Sequence, residues 1–282
     1  MSGNTKVLGV FGHPIAHSLS PAMQNAALKE LEVDYVYVPF DVEPSRLGEA
    51  AAAIRTLDLV GVNVTIPHKE RIIDYLDAVS EEARLIGSVN TVHNDRGRLR
   101  GYSTDGEGFL GPLRSEGFGV QRKCAVVLGA GGSAKAVVYA LVTNGAQVTV
   151  LNRTVERGET LAEQINAVTS SEAVRALPLH MPDVIRDADL LVNCTSVGMH
   201  PGTERTPCPK ELLHSGLLVY DLVYNPLRTR LLEEAEKAGA KTMSGARMLA
   251  HQGAESLRIW LRREPPLDLM EKVVMSALAD KT

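Results

Sequence analysis

The run CAVVLGAGGSAKAV, residues 124–137, constrains the fold more tightly than any other stretch of the chain. A short apolar segment ends at Gly129, and a helical pattern opens within five residues. Gly129 and Gly131 supply a tight turn and room for a pyrophosphate to approach the backbone, and Ala134 is the small residue needed where helix packs on strand. The helix start, which takes in Ala130, Gly132 and Ser133, offers free N–H groups and a dipole that favours phosphate. A glycine turn of this kind also occurs in unrelated α/β units. Its surroundings favour a dinucleotide site: Gly145 stands at the helix C-terminus, and a second strand, QVTVLN (147–152), follows.

The alternation of short strands and helices extends in both directions, so the expected fold class is α/β with parallel strands. Upstream, KVLGVF (6–11), YVYVPF (35–40) and LVGVNVT (59–65) read as strands. Ser20 is a good helix cap and Pro21 suits the first helical position. An Ala-rich helix is expected near 45–56. A further helix is marked by Ile72, Ile73, Leu76 and Val79, and a short one runs from Ser80 to Gly87. Near residue 105 the texture changes, and GYSTDGEGFLGPL leads into the second α/β run. Its later strands are DLLVNCT (189–195) and LLVYDLVY (217–224), with helices near 106–116, 133–144, 155–166 and 229–238. Two helices, 246–263 and 268–279, close the chain on either side of Pro265-Pro266.

Composition excludes several classes. Thirty Lys+Arg against 34 Asp+Glu gives a net charge of −4, without the basic surplus of a nucleic-acid binder. Aromatic residues are only 4%, little material for a base-stacking platform. No apolar run is long enough to span a bilayer. The apolar stretch Val7–Phe11 is too short for a secretory signal. Cys124, Cys194 and Cys208 are odd in number and far apart, which argues against a disulfide framework and fits a reducing cytosol. The eight histidines show no ligand spacing, so they are read as loop and surface residues and no metal is expected.

The tip of the second strand discriminates between nucleotides. An NAD site usually places an acid there for the ribose 2′-OH. This chain has Asn152, Arg153 and Thr154, with Arg157 one turn on. No carboxylate repels a 2′-phosphate and two guanidiniums can clamp one, which favours NADP. Thr154 also reads as a plain helix cap, and Arg157 as a solvated helix residue.

Polar segments stand out in the first half: His17-Ser18-Leu19-Ser20-Pro21, Asn63-Val64-Thr65-Ile66-Pro67-His68-Lys69 and Ser103-Thr104-Asp105-Gly106. With the glycine turn, Asn152-Arg153, GSVNTV (87–92), DLVYNPL (221–227) and Met248–Gln252, they resemble the shikimate dehydrogenase family in the right order over nearly the whole chain. The resemblance implies reversible reduction of 3-dehydroshikimate to shikimate by NADPH, on the route to aromatic amino acids. It implies that Lys69 and Asp105 are the catalytic pair and that Ser18 and Ser20 hold the substrate carboxylate. Asn63, Thr65, Asn90 and Gln252 would hold ring hydroxyls, and Gly245 would join the cofactor site. The residues give Lys69 and Asp105 a chemical reason. Hydride arriving at a carbonyl carbon requires a proton at the oxygen, and an ammonium held by a carboxylate can supply it.

Plainer readings stand beside these: a helix-surface lysine, a helix-capping aspartate and loop serines. Gln252 carries a separate argument, since its amide sits on an otherwise apolar helix face and needs a partner. Tyr224 is expected at the substrate or nicotinamide pocket, with a core aromatic as the alternative. The loop from Thr195 to Met199 follows a strand end, where open α/β sheets bind ligands.

The resemblance further implies a discontinuous substrate-binding domain, 1–104 plus 245–282, and a Rossmann-type NADP-binding domain, 105–244, meeting at a central cleft. The expected protein is cytoplasmic, a monomer or homodimer, with small molecules rather than nucleic acid or membrane as partners. The alternatives are a quinate/shikimate dehydrogenase of broader specificity and a non-catalytic NADP-sensing protein on the same fold.

Overall fold

Two six-stranded sheets organise the chain, one in each of the two units of a computed structural model that describes residues 2–279. The first unit runs to Gly108 and takes in Leu249–Ala277, and the second covers Phe109–Met248 and the residues from Leu278.

In the first unit β1 (Lys6–Gly12), α1 (Ser20–Glu30), β2 (Tyr35–Asp41), α2 (Leu47–Thr56) and β3 (Gly61–Val64) follow the order read from the sequence. β2, β1 and β3 pair in parallel, as strands joined through helices do. Leu47, Ile54, Val62, Ile72, Val92 and Leu99 fill the core on one side. Leu19, not Ser20, takes the cap position of α1. Ser20 is the first helical residue, and its N–H is held by Ser18 Oγ at 3.3 Å.

The predicted helix around Ile72–Val79 does not form. Arg71–Tyr75 is a 3₁₀ turn that buries Ile72, Leu76 is extended, and Val79 lies in β4 (Ala78–Val79). One tight turn followed by an extended edge satisfies the same apolar spacing as a helix. The short helix α3 (Glu81–Ile86) forms as expected: Ser80 Oγ accepts the Ala83 N–H at 3.2 Å, and Gly87 ends it at φ 64°.

β5 (Thr91–Asp95) and β6 (Arg98–Tyr102) break the all-parallel expectation with an antiparallel hairpin beside β3. Arg96 and Gly97 turn it with φ of 54° and 87°, the two positive values of a type I′ turn. The sheet order is β2-β1-β3-β5-β6-β4.

α4 (Asp105–Ser115) carries the chain to the second unit, where β7 (Cys124–Leu128), α5 (Gly132–Thr143), β8 (Gln147–Asn152), α6 (Val155–Thr169) and β9 (Val174–Pro178) follow. Then come β10 (Leu190–Asn193), β11 (Leu218–Asp221), α7 (Arg230–Lys237) and β12 (Lys241–Ser244). All six strands are parallel, in the order β12-β11-β10-β7-β8-β9. Successive strand residues feed opposite faces: Val127, Val192 and Tyr220 enter one core, and Leu128, Leu191 and Val219 the other. β7 is central, with β8 and β10 on its two sides, so the strand order reverses there, the place where open α/β sheets bind ligands. α8 (Gly245–Leu261) and α9 (Leu267–Ala279) end the described chain. No helix among the described residues is long and apolar enough to cross a membrane.

Candidate active site

In the first unit the loop after β3 is tied down before it presents a side chain. The Thr65 N–H donates to the Phe11 carbonyl, and the His68 N–H to the Thr65 carbonyl, both at 2.9 Å. His68 is fully buried, not a surface residue as expected; its Nε2 lies 2.7 Å from the Val42 carbonyl. Burial, the largest cause, holds the His68 ring below the usual imidazole range, assisted by the charges of His13 and Arg71. The Val89 N–H reaches the Lys69 carbonyl at 2.9 Å, so Lys69 stands on a turn pinned from both sides.

The Lys69 side chain is 19% exposed, and its Nζ donates to Asp105 Oδ2 at 2.5 Å; the Asp105 side chain is 5% exposed. Asn90 Nδ2 donates to the other oxygen, Oδ1, at 2.8 Å. It also reaches Thr104 Oγ1 at 2.9 Å and Gln252 Oε1 at 3.3 Å. Asn90 Oδ1 accepts the Thr104 N–H at 2.8 Å, which leaves the amide one orientation. Gln252 Nε2 donates to the Leu249 carbonyl at 2.8 Å, the partner its place on an apolar face required. Gly108 explains the close fit of α4 on α8, since a Cβ there would lie 2.6 Å from the Gln252 Cβ. Asn63 is buried, with both ends of its amide engaged inside the unit. Ser18 and Ser20 lie two residues apart at the start of α1.

Glu82, on α3, was not picked out from the sequence. Its carboxyl is pushed up from about 4.5 to about 7 by burial first and then by the charges of Glu107 and Asp105.

The second unit gathers its candidates at the carboxyl ends of its strands. Gly129 has φ +104°, and a Cβ there would come within 3.1 Å of Thr195 Cγ2. A Cβ on Gly131 would meet no atom within 4 Å, and no side chain caps the first amides of α5. That is an open cradle of N–H groups, in keeping with a phosphate ligand. Ala134 is fully buried. At the end of β8, Asn152 Nδ2 bonds the Thr154 carbonyl at 2.7 Å. Thr154 occupies the cap position of α6, yet its hydroxyl makes no capping bond. Arg153 and Arg157 are exposed, and neither has an acidic partner among the described residues.

The loop after β10 is tied by side-chain hydrogen bonds. The Thr195 N–H and hydroxyl both donate to Asn193 Oδ1, at 3.0 and 2.7 Å. Asn193 Nδ2 donates to Asp221 Oδ1 at 2.9 Å, and Thr229 Oγ1 donates to Asp221 Oδ2 at 2.6 Å. Burial raises the Asp221 carboxyl to about 6, against the lowering effect of the bonds from Thr229, Val223 and Asn193. Asn193 and Asp221 escaped the sequence reading as loop anchors. Their signal was a polar residue ending each of two otherwise apolar strands, LLVN and LVYD. Met199, half exposed, ends this loop. Tyr224 is half-buried, its phenol raised by burial. Gly245 opens α8 where a Cβ would clash with the Leu222 backbone at 2.2 Å.

A parallel sheet with an open glycine cradle and unpaired arginines, together with a second α/β unit holding a buried lysine–carboxylate pair, defines a dinucleotide-dependent oxidoreductase. Comparison with known proteins makes the family specific. Residues 10–92 match the family model described as shikimate dehydrogenase substrate binding domain. Residues 113–202 match shikimate / quinate 5-dehydrogenase, and residues 245–275 the shikimate 5′-dehydrogenase C-terminal domain. A shikimate dehydrogenase (NADP(+)) of Methanopyrus kandleri is 48% identical over 99% of this chain and 98% of its own. Among solved structures, a shikimate dehydrogenase in complex with NADP+ superposes with a TM-score of 0.95 at 40% identity, covering 99% of this chain and 97% of that one. The Thermus thermophilus enzyme in complex with NADP(H) and shikimate gives 0.90 at 42% identity, covering 97% of this chain and 100% of that one. The chain belongs to the shikimate dehydrogenase family.

Proposed function

We propose that the protein catalyses the reversible NADPH-dependent reduction of 3-dehydroshikimate to shikimate, the reaction of this family in the route to aromatic amino acids. The observation that carries the reading is the Lys69–Asp105 pair, held by Asn90 with every polar atom directed.

Gly129–Ala134 would hold the pyrophosphate of NADP, and Asn152, Arg153, Thr154 and Arg157 its 2′-phosphate. The loop from Thr195 to Met199 and the backbone at Gly245 would receive the nicotinamide end. When bound, NADPH supplies the hydride to the ketone carbon. Lys69 Nζ stands at the ketone oxygen, donates the proton that the new alkoxide needs and is recharged from water; in the oxidation of shikimate it takes that proton back. Asp105 orients the ammonium and accepts a neighbouring substrate hydroxyl.

Ser18 and Ser20 orient the substrate carboxylate with neutral hydroxyls, which avoids burying an opposing charge. Thr65, Asn90, Gln252 and Tyr224 complete the ring contacts, and Asn63 backs Asn90 from within. Cytosolic placement is supported by three free thiols. The test is direct: purified protein is given 3-dehydroshikimate and NADPH, and the product is identified by mass and chromatography. Stoichiometric shikimate supports the reading, and unreacted ketone with NADPH untouched removes it.

A further inference from the structure

Behind Asn90 the polar cluster runs on past Asn63 to Tyr37, Thr91 and Ser256, which have no part in the proposed chemistry. Tyr37, on β2, is 1% exposed and packs against Trp260 with ring centroids 6.3 Å apart. Its hydroxyl donates to Asn63 Oδ1 at 2.7 Å, and burial raises the phenol well above its ordinary range, so it stays a donor. That bond and the Asn90 carbonyl, which can only accept, together fix which end of the Asn63 amide is which. Nδ2, with its two protons, has three acceptors in range: the Asn90 carbonyl at 3.0 Å, Thr91 Oγ1 at 3.1 Å and Ser256 Oγ at 2.8 Å. Ser256 has the Gln252 carbonyl, at 3.0 Å, for its own proton. Thr91 Oγ1 lies 2.8 Å from Ser256 Oγ, where either hydroxyl can donate, and 3.1 Å from Asn90 Oδ1, to which it can give its proton. The Thr91 hydroxyl thus joins the Thr104 N–H at Asn90 Oδ1, and with its oxygen so held Asn90 turns Nδ2 to Asp105.

We propose that Tyr37 is a positioning residue for the reaction: through Asn63, Thr91 and Asn90 its hydroxyl holds the Asp105 carboxylate in the orientation that grips Lys69. The inference rests on the assignment of proton transfer to Lys69 and Asp105. Without the hydroxyl, Asn63 Oδ1 loses the donor that satisfies it. A flip toward the Thr91 hydroxyl would set Oδ1 against the Asn90 carbonyl, acceptor against acceptor, and draw the Thr91 proton away from Asn90.

Three variants test this. Tyr37→Phe removes one oxygen and keeps the ring against Trp260; Thr91→Val cuts the chain at the next hydroxyl, and Thr91→Ser restores it. Tyr37→Phe and Thr91→Val each lower kcat about fivefold with the KM for shikimate within about twofold, and both move the pH limb of proton transfer. Thr91→Ser stays near wild type. The double variant is no slower than its slower parent, because both changes interrupt one chain. Unchanged kcat and pH profile with only a lowered Tm, or a double variant that multiplies the single effects, would overturn the proposal. Side-chain amide NMR gives a readout independent of turnover. In Tyr37→Phe the Asn63 and Asn90 NH2 resonances shift together if the chain is as described, and a shift confined to Asn63 contradicts it. A wild-type protein inert toward shikimate would remove the catalytic assignment, with the NMR comparison still deciding the relay.

Discussion

The two candidate regions solve opposite problems. Around Lys69 the polar groups are buried and mutually bonded: Asp105 has both oxygens occupied and Asn90 has one permitted orientation. Around Gly131 and Arg153 the amides and guanidiniums have no protein partners among the described residues. On the proposed reading a proton is delivered to one atom from one direction, a task that suits a donor held in a satisfied network. A phosphate is recognised by supplying donors it alone completes, which on the proposed reading is the task of those groups. Preorganisation at one site is filled valences, and at the other it is empty ones.

Removing a group from the filled region should cost turnover. Lys69→Ala is expected to lower kcat by ~10²-fold or more while shikimate binding stays comparatively intact, measured by steady-state rates and equilibrium titration. Turnover near wild type would take Lys69 out of the mechanism. Adding to the empty region should cost affinity alone. Gly131→Ala places a methyl where no protein atom lies within 4 Å, so Tm stays within about 1 °C while the Kd for NADP+ rises about 30-fold. Gly129→Ala, at φ +104°, should lower Tm as well. Calorimetry beside cofactor titration separates the two.

Arg153→Ala should raise the KM for NADP+ about tenfold with kcat and the KM for NAD+ little changed. An equal loss toward both cofactors would place Arg153 away from the 2′-phosphate. The smallest effect concerns Glu82, whose carboxyl is raised to about 7 from an ordinary value near 4.5. The folded state keeps a proton there that the unfolded chain releases, so this carboxyl removes stability as pH climbs through that window. Glu82→Gln should therefore raise Tm at pH 8 by about 2 °C, with the gain vanishing near pH 4. A gain equal at both pH values would show that charge is not the cause.

Legibility followed how local the physics was. The β7–α5 turn, the Asn152–Arg157 tip and the Ser80/Gly87 ends of α3 were plain in the sequence because each is settled within a few residues by φ, capping or charge. β9 and β12 were missed: they are short sheet edges, and β9 ends in Pro178, which weakens a strand reading. The β5–β6 hairpin turns on Arg96-Gly97, where an arginine at positive φ carries no turn signal of its own. Among candidate site residues, Lys69 and Asp105 were singled out through chemistry and resemblance. Tyr37 was not, because it lay in a strand whose pattern already explained it. Its role exists only where β2, β3, β5 and α8 bring Asn63, Thr91 and Ser256 together.

The most direct test of the account is a matrix of initial rates of cofactor reduction, with shikimate or quinate each paired with NADP+ or NAD+. Fast turnover confined to shikimate with NADP+ is the predicted result, since it needs both the filled region and the unpaired arginines to act as described. Comparable rates with quinate or NAD+ would contradict the assigned selectivity. Absence of turnover in all four pairings, with NADP+ still bound, would contradict the assignment of Lys69 and Asp105 to proton transfer on these substrates.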